Sequence, residues 1–339
     1  MAAKKLGKQT FLMKNSPTII SAAAIAGVKE GEGPLARYYD MIITDDMFGE
    51  STWEKAESKL QKTALDTAMA KASLSPSSMD LIYAGDLLNQ CAGAHYGLRD
   101  MQIPFFGVFG ACSTMAQSMA MAAMGVDGGF ADYALACTSS HFCSAEKQFR
   151  YPLEYGGQRP LTSQWTVTGA GSALIAAMGK GPYITHITAG RIVDMGITDA
   201  NNMGAAMAPA AADTLAAHFN DTGMNPSHYD LIVTGDLAAV GSGLVCELMN
   251  DRGIDMGKNY NDCGNMVFYG EQDVHAGGSG CGCSAVTMCG YIYEKLRCGE
   301  INSVLFVGTG ALMNPTMLLQ GESIPGIAHA VAIRNTLPL

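Results

Sequence analysis

The segment Asp80-Leu81-Ile82-Tyr83-Ala84-Gly85-Asp86-Leu87 returns as Asp230-Leu231-Ile232-Val233-Thr234-Gly235-Asp236-Leu237, the same D-L-I-x-x-G-D-L frame moved on by 150 positions (80 to 230). Further matches keep the order. Ile43-Thr44-Asp45 pairs with Ile197-Thr198-Asp199 upstream, and downstream Gly110-Ala111-Cys112-Ser113 and Asp132-Tyr133-Ala134-Leu135 pair with Gly282-Cys283-Ser284 and Asn302-Ser303-Val304-Leu305. A unit this long is a duplicated half-molecule, because solenoid units recur every 20–50 residues or so. The expectation is two similar α/β halves, residues 1–180 and 181–339, related by a pseudo-twofold and facing one another across a site.

The length of 339 residues, 48% of them hydrophobic, provides for two cores of ordinary domain size. A net charge of −10 argues against a nucleic-acid partner. The ten cysteines follow no signal peptide, since Met1-Ala2-Ala3-Lys4-Lys5 leads into no sustained apolar run, so they are expected to be reduced thiols. Cys281-Gly282-Cys283 lacks the second pair that a zinc site needs, and no metal of the protein's own is expected. Ile103–Val126 contains no charged residue and is long enough to span a bilayer. Pro104, Gly107, Gly110 and Ser113 break it into strand, turn and helix, and Val274–Tyr293 is its equivalent. Two central helices buried on every side account for both runs, and no transmembrane segment is expected.

Spacing predicts a strand over 17–27, an amphipathic helix over 51–73, then strand 80–86, helix 88–99, strand 104–109, helix 112–125 and strand 132–137, an alternation that points to a mostly parallel sheet covered by helices. Residues 140–165 show neither period and have no counterpart in the second half, which suggests an inserted cap.

Cys112 leaves a strand through Gly110-Ala111 and starts a helix, where exposed amides and the helix dipole lower a thiol pKa and attract anions; a buried structural thiol fits the spacing equally well. Asp86 and Asp236 end equivalent strands, where open α/β sheets place ligands, although capping the next helix is an equally good role. His141 and His275 lie in loops that approach the same region, and a lone loop histidine is more often a hydrogen-bonded surface residue.

The duplicated halves, the cysteine after Gly110-Ala111, the Arg159–Ala173 segment with Thr168-Gly169-Ala170-Gly171-Ser172-Ala173, and Val307-Gly308-Thr309-Gly310 together resemble the thiolase superfamily, type III β-ketoacyl synthases in particular, over nearly the whole chain. Within it, Gln164–Gly171 and Asp230–Asp236 are most similar to the stage V sporulation protein AD family of spore-forming bacteria. The resemblance implies a five-layer αβαβα sandwich and a homodimer. It also implies a role in binding dipicolinic acid and moving it into the forespore, peripheral to the inner spore membrane beside the membrane proteins of the same channel complex, with a link to germination.

Departures from the synthase pattern are as informative. Where a condensing enzyme carries the histidine that polarises the thioester, this chain has Gly235, and where it carries the asparagine, Ser279. The resemblance therefore implies a vestigial Cys112, no catalysis and no cofactor, with Cys112, Asp86, Asp236, Ser279, His141, His275 and Gly310 around a ligand pocket. If the ligand arrives as a calcium chelate, Asp86 or Asp236 is placed to complete the oxygen shell of its metal. Two alternatives stand beside this: an acyl-thioester condensing enzyme or acyltransferase using Cys112, and a structural subunit with a vestigial pocket.

Overall fold

The computed structural model describes residues 4–149 and 159–337. Ten strands carry the architecture: β1 (Thr18–Ala26), β2 (Leu81–Gly85), β3 (Phe105–Gly107), β4 (Tyr133–Ser140) and β5 (Gly169–Ala176) in the first half, then β6 (Tyr183–Thr188), β7 (Leu231–Thr234), β8 (Tyr260–Asp262), β9 (Ser303–Ala311) and β10 (Gly326–Arg334) in the second. Their order across the sheet is β8-β7-β9-β10-β6-β1-β5-β4-β2-β3. Each half thus repeats one order outward from the junction, where Thr18 pairs with Tyr183. The register repeats too: Leu81 faces Ala134 as Leu231 faces Val304, and Ile175 faces Ile19 as Ile333 faces Ile184.

Local chemistry is duplicated with the topology. Asp80 and Asp230 each bridge from the foot of one strand to the next, their Oδ2 atoms accepting from the amides of Asp132 and Tyr133 and of Asn302 and Ser303. Asp45 and Asp199 each close an Asx turn on the amide two residues on. Helices α1 (Trp53–Lys71) and α5 (Met203–Thr222) then begin behind Thr52 and Asn202, whose side chains accept from the amides of Lys55 and Ala205.

Helix α1 packs on β1 and β5, and α5 on β9 and β10, each beside a second helix, α2 (Ala92–Leu98) or α6 (Ala238–Asn250). Helix α3 (Thr114–Asp127) lies between the two halves of the sheet, touching β2, β4 and β5 of one and β9 and β10 of the other, with Met115, Ala116, Met119, Ala122 and Ala123 all fully buried. Beside it α7 (Cys281–Val286) continues through a π turn to Arg297. The layers are therefore α, β, α, β, α, and the uncharged runs of the sequence are the middle one.

Three expectations need correction. The sheet is mixed rather than mostly parallel: β2 is parallel to β3 and β4, but β5 is antiparallel to β4 and β1. The helix expected over 88–99 starts only at Ala92, because Gln90 and Cys91 take left-handed conformations (φ 58 and 53) in a loop held by Asp86. Within 140–165, Phe142–Phe149 forms a helix, α4, and the second half carries a shorter one, α8 (Pro315–Leu319), after β9. Trp165-Thr166 adds a short strand against Gly278-Ser279. Residues 150–158 of the expected cap lie outside the described residues.

Candidate functional site

The equivalent strands β4 and β9 lead into α4 and α8, and the starts of α3 and α7 meet between them. A cavity of about 200 Å3 opens there. Cys112 and Ala111 form its floor, Thr166 and Ser279 one wall, Ala145 and Phe149 of α4 another, and Ala311–Pro315 the wall from the second half, with Leu87, Asn89, Phe109, Glu146 and Met203 completing it. No lysine or arginine is among the described lining residues.

Cys112 does not have the acidity expected of a helix-start cysteine. Its thiol is buried and pushed well above the usual range, first by burial and then by the negative charge of Asp236. The dipole of α3 does not offset a neighbouring buried anion. Asp236 is fully buried and its oxygens are engaged: Oδ1 accepts from Thr309 Oγ1 (2.8 Å), and Oδ2 from the Gly280 amide (2.9 Å) and Ser279 Oγ (3.2 Å). Burial raises its pKa to about 6 against these stabilising bonds. Gln164 steadies the turn from below, its Nε2 donating to the carbonyls of Asp236 (2.6 Å) and Gly278 (3.1 Å).

Gly235, at the position the synthase pattern gives to histidine, is closed by its surroundings. A Cβ there would lie 3.0 Å from the Thr309 amide nitrogen, 3.1 Å from its Oγ1 and 3.3 Å from Gly308 Cα. Gly308 and Gly310 bring β9 against the Cys112 turn, since a Cβ on Gly308 would stand 2.6 Å from the Ala116 methyl and one on Gly310 2.8 Å from the Gly110 carbonyl. Gly310 is thus a point of backbone contact behind the cavity, and Ala311 is the residue that lines it.

The pseudo-twofold breaks at the aspartates. Asp86 Oδ1 accepts from the Leu88 amide (2.8 Å) and Oδ2 from Ala94 (2.7 Å), so it locks its loop and does not line the cavity. In the second half that task passes to Asp262, which accepts from Thr234 Oγ1 and from the amides of Leu237, Ala238 and Gly264. Asp236 instead accepts from Gly280, Ser279 and Thr309 and, like Asp86, is not among the residues that line the cavity. Burial pushes Asp86 to about 6 and Asp262 to about 7, and Glu57, buried behind β4 on Ser139 and Ser144, to about 8.

The histidines stand apart. His141 is buried with both nitrogens used, Nε2 on the Asp46 carbonyl (2.8 Å) and Nδ1 on the Cys143 amide (3.2 Å), and burial lowers its pKa. His275 spans Pro160 O and Asp273. Neither lines the cavity, and among the described residues no group of three or more histidine, cysteine or acidic side chains is arranged to hold a metal. Of the residues expected to surround the ligand, Cys112 and Ser279 line the cavity, and Asp236 is bonded to Ser279 without lining it. Sequence reasoning missed Thr309, Asp262 and the wall around Asn314; Thr309 stood next to Gly310 in a run already singled out.

The family model for stage V sporulation protein AD matches residues 7–334. Stage V sporulation protein AD of Bacillus subtilis (strain 168) is 47% identical over 332 residues, covering 98% of each chain. Among solved structures, 3-oxoacyl-[acyl-carrier-protein] synthase III from Aquifex aeolicus VF5 matches with a TM-score of 0.58 at 14% identity, over 94% of this chain and 99% of that one. Cerulenin-bound OleA of Xanthomonas campestris matches with a TM-score of 0.60, also at 14% identity, over 94% and 96%. Likeness at that identity speaks for the fold: this is the thiolase-like sandwich. The near-complete family match and the close full-length relative go further, and the chain belongs to the stage V sporulation protein AD family.

Proposed function

We propose that this sporulation protein is a non-catalytic member of the thiolase-like fold that binds dipicolinic acid, free or as its calcium chelate, and supports its movement into the forespore. The observation that carries the non-catalytic part is at Gly235, where even a Cβ would stand 3.0–3.3 Å from Thr309 and Gly308 and force them to shift, while burial holds Cys112 as a thiol. Neither general-base activation nor oxyanion donation by the usual partners is available.

The ligand reading rests on the family resemblance and on the cavity. At about 200 Å3 it lies below the roughly 300–1,000 Å3 of drug-sized sites, which suits one small ring better than a long acyl chain. The described lining offers Thr166, Ser279, Asn89, Asn314 and the carboxylate of Glu146 as polar groups and no cation. A dianion in a cavity lined by Glu146 and no cation therefore binds better with its charge compensated, which favours the calcium chelate. Asp86 and Asp236 are occupied by their own bonds and do not line the cavity, and Asn314 Oδ1 caps α8, so oxygens of the lining residues Asn89 and Thr166 are the ones proposed toward such a metal.

A homodimer is part of the same proposal. Strand β3 ends the sheet, and Phe106 and Phe109 are 54% and 55% exposed beside its free edge, an invitation to pair with a second copy. No described helix is long and apolar enough to cross a membrane, so association with the inner spore membrane is proposed to be peripheral, through membrane-embedded partners. Calorimetric titration with dipicolinate, with and without calcium, tests the binding. Incubation with acetyl-coenzyme A followed by intact-mass measurement tests the enzyme alternative, for which an acyl adduct on Cys112 is the required result. Neither binding nor adduct would leave the structural-subunit alternative.

A further inference from the structure

The end of the molecule opposite the cavity carries a surface that neither the ligand pocket nor the free edge of β3 uses. Strand β4 runs toward the cavity from Tyr133, β5 returns from it to Ala176, and α3 leads away from the Cys112 turn to Asp127, so the turns 128–132 and 177–182 emerge together at the far end. Hydrogen bonds tie them into one face with the segment before β1. The Ala177 amide donates to Asp132 O (2.9 Å) and the Ile19 amide to Pro182 O (2.9 Å), while Asn15 donates to Asp127 through its amide (2.6 Å) and through Nδ2 (2.8 Å). On this face Phe130 and Met178 are 81% and 86% exposed, and Met124, in the last turn of α3, is 46% exposed. Exposed apolar side chains clustered on one face mark an interaction surface.

The charge of the face differs from that of the chain. Lys5, Lys14 and Lys180 are exposed beside these side chains and form no ion pair among the described residues, while Lys4 is paired with Asp127. Four lysines (4, 5, 14 and 180) against Asp80, Asp127 and Asp132 give this end a balance of +1 on a chain of net charge −10. We propose that this end meets an anionic lipid surface directly, with Phe130 and Met178 entering the boundary between headgroups and acyl chains and Lys5, Lys14 and Lys180 reaching the phosphates around them. The inference rests on the peripheral-association reading and adds that lipid itself touches this chain. Side chains more than four-fifths exposed project from their turns and do not line a groove, a shape that enters a fluid bilayer without a matching partner surface. Lysine stems cross the same boundary while their charged heads stay at the phosphates. An anionic surface repels the rest of this acidic chain, so charge selects the end that approaches. The cavity, at the opposite end, is thereby kept on the aqueous side.

The test is flotation of the full chain with vesicles of phosphatidylglycerol and phosphatidylcholine in equal parts, beside vesicles of phosphatidylcholine alone. The unaltered chain should float with the anionic vesicles more than with the neutral ones, and less as NaCl rises from about 0.1 M to about 0.5 M. Phe130→Ser with Met178→Ser should weaken partition about tenfold or more, and Lys14→Glu with Lys180→Glu should do so on anionic vesicles by about tenfold. All four side chains are exposed, so the fold does not depend on them. Leu319→Ser, which removes a side chain 90% exposed on α8 at the cavity end, should leave partition unchanged. A chain that floats with neither kind of vesicle overturns the proposal and leaves this face to a membrane protein. Undiminished flotation of the Phe130→Ser, Met178→Ser chain overturns it as well, as does an equal loss in Leu319→Ser. Each variant should bind dipicolinate in calorimetry as the unaltered chain does, so the lipid and ligand proposals stand or fail separately.

Discussion

Putting the condensing-enzyme residues back tests how thoroughly this site has been rebuilt. Gly235→His with Ser279→Asn is the minimal restoration the sequence suggests, and the structure expects it to fail. The first added atom alone meets Thr309 N at 3.0 Å, Thr309 Oγ1 at 3.1 Å and Gly308 Cα at 3.3 Å, all inside the ~3.5–4.0 Å of a relaxed carbon contact. Thr309 cannot step aside cheaply, because its hydroxyl both accepts from the Asp236 amide and donates to the Asp236 carboxylate. Overpacking of this kind costs about 1–3 kcal/mol, and losing a hydrogen bond to a charged group about 1.5–3 kcal/mol more. The double variant should thus be less stable by about 2.5–6 kcal/mol in urea unfolding followed by tryptophan fluorescence, and should show no ketoacyl synthase turnover. Gly235→Ala, which adds only the first atom, should lose about 1–3 kcal/mol. A double variant as stable as the unaltered chain, or one that condenses, would mean that the space around Gly235 is open and the reasoning wrong.

Phe106→Asp places a charge on the free edge of β3 and should shift the chain from dimer to monomer in analytical ultracentrifugation, with a monomeric unaltered chain as the contrary result. Cys112→Ala should weaken dipicolinate binding only slightly in calorimetry, whereas Ser279→Ala removes a donor to Asp236 and should lower stability by about 1.5–3 kcal/mol in urea unfolding. Stability should also rise on mild acidification. Glu30 and Glu57, raised to about 8 by burial, take up protons in the fold between pH 8.5 and 6.5 while the unfolded chain's carboxylates stay ionised. That is a gain of up to ~2 kcal/mol each over this window. Below pH 6.5 the buried rings of His186 and His329, lowered to about 4, and His218, lowered to about 3, oppose it, because the unfolded chain then binds the extra protons. A urea midpoint that falls from pH 8.5 to 6.5 would contradict this account.

Much of the fold was legible because the duplication is written in residues that do the same work twice. Asp80 and Asp230 bridge equivalent strand feet, Thr52 and Asn202 cap equivalent helices, and the uncharged runs are the buried middle layer. Strand polarity was not legible, since β4 and β5 have no hydrophobic pattern that distinguishes an antiparallel partner from a parallel one. The site was read in part. Cys112 and Ser279 follow from position in the repeat, but the different tasks of Asp86 and Asp236 do not, because the two copies are identical over Gly-Asp-Leu and the switch lies in Asp262, 26 residues beyond Asp236 (236 to 262). For Cys112 the sequence left an acidic helix-start thiol and a buried structural one equally open: helix-start chemistry is local and visible, whereas the burial that raises its pKa comes from packing of both halves.

Crystals soaked with dipicolinate and calcium address the central claim most directly. The account predicts a single pyridine ring in the cavity between Cys112, Thr166, Ser279 and Asn314, with no covalent bond to the sulfur and Asp236 still bonded to Gly280 and Thr309. A ring bound elsewhere, an acyl group or adduct on Cys112, or a cavity left empty at saturating ligand would contradict it.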